Sequence, residues 1–261
     1  MADTVALSEE GPVAKVLLDR QRALNAFDLD MADLLARRLA TVAAEDRVRA
    51  VVLAGAGEAF CAGGDLKWAA GHPDGPPAAF RELAGRFHQA VLEIRQMPKP
   101  VIAAVEGVAA GGGFSLALAC DFRVMARSAV LRQAYTASGL GIDGGGTFTL
   151  PRLLGLARAL EVAAFDRPIP AEQALAWGLA TSVADDGQAL EAAVAMGRGL
   201  ATRSLHAFAL CKRLLTDSFE TALETQLDRE RDGMAASAAH PDGQEGIRAF
   251  LDKRTPSYLR P

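Results

Sequence analysis

Up to about residue 185 the chain alternates short β-branched or apolar runs with longer segments of helical period, which restricts it to architectures built on a mostly parallel sheet. The runs at 13–19, 50–54, Val101–Val105 and Phe122–Ala126 read as strands, with a further one expected over 179–183. Between them, 28–45 carries Met31, Leu34, Leu35, Leu39 and Val42 on one stripe, with Asp28 or Asp30 as its N-cap. The segment 80–97 repeats the pattern through Leu83, Phe87, Val91 and Ile94 and is stopped by Pro98 and Pro100. Residues 71–77 (GHPDGPP) are dense in helix breakers and read as a mobile surface loop. Beyond Gly187 only helical periodicity remains, over Ala189–Ala201, 205–236 and 243–251. The expectation is an α/β body over 1–195 and an all-helical part over 196–261.

Half of the 261 residues are apolar and 23% are charged, which supports one large core. A net charge of -4 provides no global field for nucleic acid or an anionic membrane, so neither is an expected partner. Cys61, Cys120 and Cys211 form no CxxC pair, which argues against a disulfide framework or a zinc site. No basic stretch followed by an apolar run opens the chain, so a cytoplasmic location is expected. The apolar stretch 100–120 has the length of a membrane span. It contains Glu106 and several glycines, however, and a buried strand running into a helix accounts for it better. Glu106 itself reads as a structural residue at a strand end.

Two glycine clusters each follow a strand: FCAGGDLK at 60–67 and GVAAGGGFSL at 107–116. Glycine there lets a ligand approach the backbone without meeting a Cβ, and free N–H groups at a helix start face outward at the positive end of the dipole. Two such sites together can form an oxyanion hole; singly, each also reads as a tight turn. A dinucleotide fingerprint fails at Leu116, no Gly-Lys-Ser/Thr follows the glycines, and Ala117 breaks a nucleophile elbow around Ser115. For a serine hydrolase the downstream histidines, His206 and His240, fall in the helical tail.

RQRALNA at 20–26, FCAGGDLK at 60–67, KPVIAAVEGVAAGGG at 99–113, GLGIDGGGTFTLPRLLG at 139–155, AEQALAWGLATSV at 171–183 and FLDKR at 250–254 resemble, in order and spacing, the crotonase (enoyl-CoA hydratase/isomerase) superfamily. The resemblance runs along nearly the whole chain. It implies an α/β fold, a crotonase-like spiral of ββα turns carrying the CoA-thioester site, with a C-terminal helical trimerisation region and a homotrimer or dimer of trimers. It assigns the oxyanion hole to the N–H groups of Gly64 and Gly112. It places Ala23, Leu24, Ala62, Asp65 and Leu66 along the CoA path, and Lys67, with Phe250 and Lys253 of a neighbouring subunit, at the nucleotide end. The substrate is then an acyl-CoA thioester, with no cofactor beyond the coenzyme A it carries and no metal.

Hydratases of this superfamily hold water between two glutamates, and those positions here carry Ser115 and Tyr135. Neither is a usable base near neutral pH, since a serine hydroxyl is too weak an acid and tyrosine titrates near 10. Asp143, just before Gly144-Gly145-Gly146, stands where several superfamily isomerases, and a dehalogenase of chlorobenzoyl-CoA, place a working aspartate. The expected reaction is an isomerisation, a double-bond shift or ring rearrangement, with Asp143 as proton shuttle. The alternatives are an enoyl-CoA hydratase-like lyase with an atypical site, an aryl-CoA hydrolase or dehalogenase using Asp143 and His88, and a catalytically silent scaffold or RNA-binding relative. Apart from the resemblance, Asp143 reads as a turn or helix cap and His88 as a helix-surface residue. The resemblance to the dehalogenase, which surrounds an aryl ring with aromatics, makes Trp68 and Phe80 residues that could contribute to such a site.

Overall fold

The computed structural model describes residues 3–259. A hairpin of β1 (Val5–Glu10) and β2 (Val13–Leu18) opens the chain and is followed by α1 (Leu29–Ala44) and β3 (Ala50–Gly55). Then come α2 (Leu66–Ala70), α3 (Gly75–Gln96), β4 (Val101–Val105), β5 (Val108–Ala110), α4 (Gly112–Ala119), β6 (Phe122–Ala126) and β7 (Val130–Arg132). The second half holds α5 (Gly146–Leu154), α6 (Leu156–Phe165), β8 (Ile169–Pro170), α7 (Ala171–Ala176), β9 (Ser182–Ala184) and α8 (Ala189–Ala201). Three helices end it: α9 (Leu205–Asp217), α10 (Leu223–Ala239) and α11 (Pro241–Leu251).

The main sheet runs β1-β2-β3-β4-β6-β9, parallel beyond its first pair, and β5-β7-β8 form a second, smaller sheet. Every residue of β4 is buried, as are the first five of β3, which is why both read as unbroken apolar runs rather than alternating ones. α1 packs on α3, and α8 lies across β3, β4 and β6. The fold is α/β with helices at its C-terminal end.

The sequence pattern and the structure agree closely at β2, β3, β4, β6 and α1, whose N-cap Asp28 accepts from Met31 N at 3.0 Å. They differ at four places. The strand expected over 179–183 begins at Ser182, because the N–H groups of Leu179 and Ala180 both return to Ala174 O and close α7. Gly75–Pro77, assigned to a loop, are instead the first turn of α3, where proline needs no N–H partner. The helix expected over 205–236 is two helices, broken where the Ser218 and Thr221 hydroxyls donate back to Leu215 O and Asp217 O. β1 has no apolar alternation to announce it; it pairs only with β2 at the sheet edge.

Glu106 is structural, as its strand-end position suggests. Its carboxylate accepts from Gly187 N at 3.2 Å and Ala189 N at 2.8 Å, capping α8. Lys212 Nζ on α9 reaches Asp121 Oδ2 and Ile94 O, each at 2.8 Å, and ties the C-terminal helices to the sheet. Among the described residues no helix is long and apolar enough to cross a membrane.

Candidate active site

The two glycine clusters meet. Cys61 N donates to Val108 O and Ala110 N to Cys61 O, so residues 61–64 run beside β5 and the start of α4. On its other side, Phe27 N donates to Gly63 O at 2.7 Å and Asp65 N to Phe27 O at 2.8 Å. Both bonds bracket Gly64, whose own N–H therefore faces away from Phe27. Gly63 takes φ +102°, and a Cβ there would lie 2.9 Å from both Ala110 O and Gly112 N, so only glycine permits this approach. Gly112 is the first residue of α4, where an amide has no partner inside the helix. Among the described residues neither Gly64 N–H nor Gly112 N–H donates a hydrogen bond, and both residues line one cavity of about 530 Å³.

Asp143 enters that cavity from the loop before α5. Its carbonyl accepts from Ser115 Oγ at 2.6 Å, from Tyr135 OH at 3.3 Å and from Gly146 N at 3.1 Å. Ser115 and Tyr135 thus brace the Asp143 backbone. Ser115 is completely buried, and a Cβ on Gly146 would lie 2.8 Å from its Oγ, so the glycines after Asp143 are what lets the loop close on it. Burial pushes the Tyr135 phenol above its ordinary value, against the opposing hydrogen bond from Ser115, so it keeps its proton. Among the described residues the Asp143 carboxylate has one side-chain partner, His88 Nε2, at 2.6 Å.

The cavity wall is largely apolar: Phe27, Phe80, Leu83, Phe87 and Leu140, with the Phe27 and Phe87 rings 5.0 Å apart. Of these, Phe80 is the one the resemblance suggests for an aryl site, without the sequence placing it. Phe27, Leu83 and Phe87 sit on or beside core-facing stripes, a signal indistinguishable from ordinary packing. Trp68 turns instead toward His72, edge-on at 5.7 Å. Ala62 and Leu66 line the cavity, and Ala62 N donates to Leu24 O at 2.9 Å, placing the Ala23–Leu24 backbone alongside. That backbone is held by Asn25, fully buried, whose amide donates to Ala56 O and Ala59 O, a clamp the motif alone does not reveal.

Asp65 caps α2 through Lys67 N and Trp68 N and pairs with Arg20 at 2.8 Å. Lys67 is exposed at the start of α2, while Phe250 and Lys253, at the end of α11, do not line this chain's cavity. Cys61, buried beneath the glycines, has its thiol pushed up to about 12 by burial and is no nucleophile. His206 and His240 stack on each other at 3.9 Å in the helical tail. No group of three metal-ligating side chains forms among the described residues.

Residues 8–260 match the family model described as enoyl-CoA hydratase/isomerase. The 1,2-epoxyphenylacetyl-CoA isomerase of Escherichia coli (strain K12) is 38% identical over 259 residues, 99% of each chain. The carnitinyl-CoA dehydratase of Salmonella typhi is 34% identical over 263 aligned positions, again 99% of each. Among solved structures, an enoyl-CoA hydratase from Polaromonas sp. JS666 superposes with a TM-score of 0.93 at 38% identity, covering 98% of this chain and 99% of that one.

Proposed function

Because the chain belongs to the enoyl-CoA hydratase/isomerase family and is an enzyme acting on acyl-CoA, we propose that its reaction is an isomerisation, a double-bond shift or ring rearrangement within the acyl group of a CoA thioester. One observation carries the reading: among the described residues Asp143 is the only carboxylate lining the cavity that Gly64 and Gly112 share, while Ser115 and Tyr135 are engaged with its backbone. The thioester carbonyl oxygen sits between the Gly64 and Gly112 N–H groups. Asp143 takes a proton from one carbon, the electron pair of that C–H bond passes toward the carbonyl as an enolate, and the proton returns at another carbon. One carboxylate suffices, because nothing is added to or lost from the substrate. Two amide donors aimed where charge develops contribute about 3 kcal/mol each to such a barrier.

The walls of Phe27, Phe80 and Phe87 suit a flat or ring-bearing acyl group, as does the likeness to an epoxyphenylacetyl-CoA isomerase. No cofactor is needed beyond the coenzyme A of the substrate, and the working unit is a homotrimer or a dimer of trimers. A second reading, hydrolysis of an aryl-CoA through an aspartyl ester, is favoured by the 2.6 Å contact of His88 with Asp143.

One experiment separates the two. Enoyl-, dienoyl-, phenylacetyl-derived and halobenzoyl-CoA thioesters are incubated with wild type and Asp143→Asn in ¹⁸O water, and products and protein are weighed by mass spectrometry. The isomerase reading expects a product of unchanged mass, no label in Asp143, and a loss of about 10²–10⁴-fold in kcat for the variant. Label in the Asp143 carboxylate after one turnover establishes the hydrolase instead. Full turnover by Asp143→Asn removes both.

A further inference from the structure

Resting on the isomerase reading, we infer that His88 is the positioning residue of Asp143: its Nε2–H holds Oδ1 and leaves Oδ2 as the oxygen that takes and returns the substrate proton. The two ends of Asp143 are held very differently. Its backbone carbonyl is fixed by three donors. Its carboxylate is about two-fifths exposed and, among the described residues, is held by His88 alone. A carboxylate on a short loop side chain that is free to rotate and hydrate spends little time aimed at one carbon, and misplacement by an ångström can cost about 10²-fold in rate.

His88 can supply the missing constraint because of where it stands. It is carried by α3, the helix that also walls the cavity, and its neighbour Phe87 is buried against Phe27, so its backbone is anchored in the core. A nitrogen 2.6 Å from a carboxylate oxygen is at the distance of a charge-assisted hydrogen bond. Nε2 carries its proton in the neutral tautomer with a bare Nδ1 as well as in the imidazolium, so either form can donate to Oδ1.

The other charged groups on the elements around the pair are turned elsewhere. Arg86 faces Asp33 at 3.8 Å, Glu82 faces His72 at 3.6 Å, and Arg152 on α5 faces Glu220 at 3.6 Å. Arg81 lines the cavity without an ion pair among the described residues, and the Tyr135 hydroxyl keeps its proton. The proton balance is closed: it leaves a substrate carbon for Oδ2 and goes from Oδ2 to a second carbon. Asp143 ends as it began and His88 gives up nothing.

The test compares His88→Ala and His88→Gln with wild type on the thioester that wild type turns over, as kcat and KM at one pH. Glutamine offers an N–H near the place of Nε2. His88→Ala is expected to lose about 10- to 100-fold in kcat with KM little changed. The loss should be largely reversed in His88→Gln, whose amide restores one donor to Oδ1.

In parallel, the ring-nitrogen NMR shifts of His88 are compared at one pH in wild type and in Asp143→Asn, where loss of the carboxylate partner should move them. A wild-type kcat in His88→Ala would overturn the inference. So would a loss that glutamine does not repair in protein of unchanged melting temperature, or His88 ring-nitrogen shifts indifferent to Asp143→Asn. Failure of the isomerase reading itself is seen separately, as ¹⁸O in Asp143 or as activity in Asp143→Asn.

Discussion

Ser115 exposes no surface, and the loop that carries Asp143 closes directly onto it through Gly144 and Gly146. A longer acid cannot be seated there without displacing that loop or the Phe87 ring, which a Cβ on Gly144 would already meet at 2.3 Å. Ser115→Glu, which restores a carboxylate where hydratases carry one, should therefore create no hydratase. It should bury an unpartnered acid in an overpacked site, at a cost of about 3–5 kcal/mol. For a chain of this length that is on the order of 10 °C in melting temperature, measurable by calorimetry, with addition of water to an enoyl-CoA remaining undetected. At this scale the sequence is legible as chemistry but not as contact. That Ser115 and Tyr135 cannot serve as bases follows from residue type. That both hydroxyls donate to the Asp143 carbonyl does not, because nothing in a 28-residue separation reports a 2.6 Å bond. His88 is the same case: its helical spacing fits a bland surface residue, and only the packing of α3 against the Asp143 loop joins them.

Among the elements, those buried on both faces were the readable ones. β4 and β6 match their apolar runs residue for residue, whereas β5, β7 and β8 are two or three residues long and carry no period to detect. α2 is too short for periodicity as well, and its existence depends on one carboxylate. Asp65 accepts from Lys67 N and Trp68 N and pairs with Arg20, which also reaches Asp28 at 3.0 Å. Burial alone would raise the Asp65 carboxyl, but the Trp68 amide, the Arg20 guanidinium and the Lys67 amide together hold it below its ordinary value. A carboxyl with a depressed folded pKa contributes stability that is present above its unfolded value, near 4, and is lost as pH falls through the lower folded value. Asp65→Asn should accordingly be less stable than wild type at pH 6, with the gap narrowing below pH 4. Urea midpoints measured from pH 3 to 7 read this directly, and a gap that is constant with pH would assign Asp65 no role as an ionised cap.

For the molecule as a whole, the C-terminal helices leave many large apolar side chains exposed. α10 has 17 residues, yet only Gln226 and Gly233 are buried, while Leu223, Leu227 and Met234 are 68%, 55% and 72% exposed. A helix of that length with almost no buried face has no reason to be stable in water unless something covers it. Phe219 and Leu215 extend the same apolar exposure along the α9–α10 connection. Phe250 and Lys253, meanwhile, do not line their own chain's cavity. A trimer built through these helices would answer both observations at once. The native mass should then be near three or six times 27.4 kDa by light scattering. Leu223→Glu with Leu227→Glu, placed on surface this chain leaves open, should shift the mass toward one chain while circular dichroism keeps its helical signal. If Phe250 and Lys253 act across the interface, the separated chains lose affinity for the CoA end of the substrate, so KM should rise by about tenfold or more, the scale of one lost charge-assisted contact. A variant that remains assembled, or one that separates and keeps the wild-type KM, would show that each chain completes its own site.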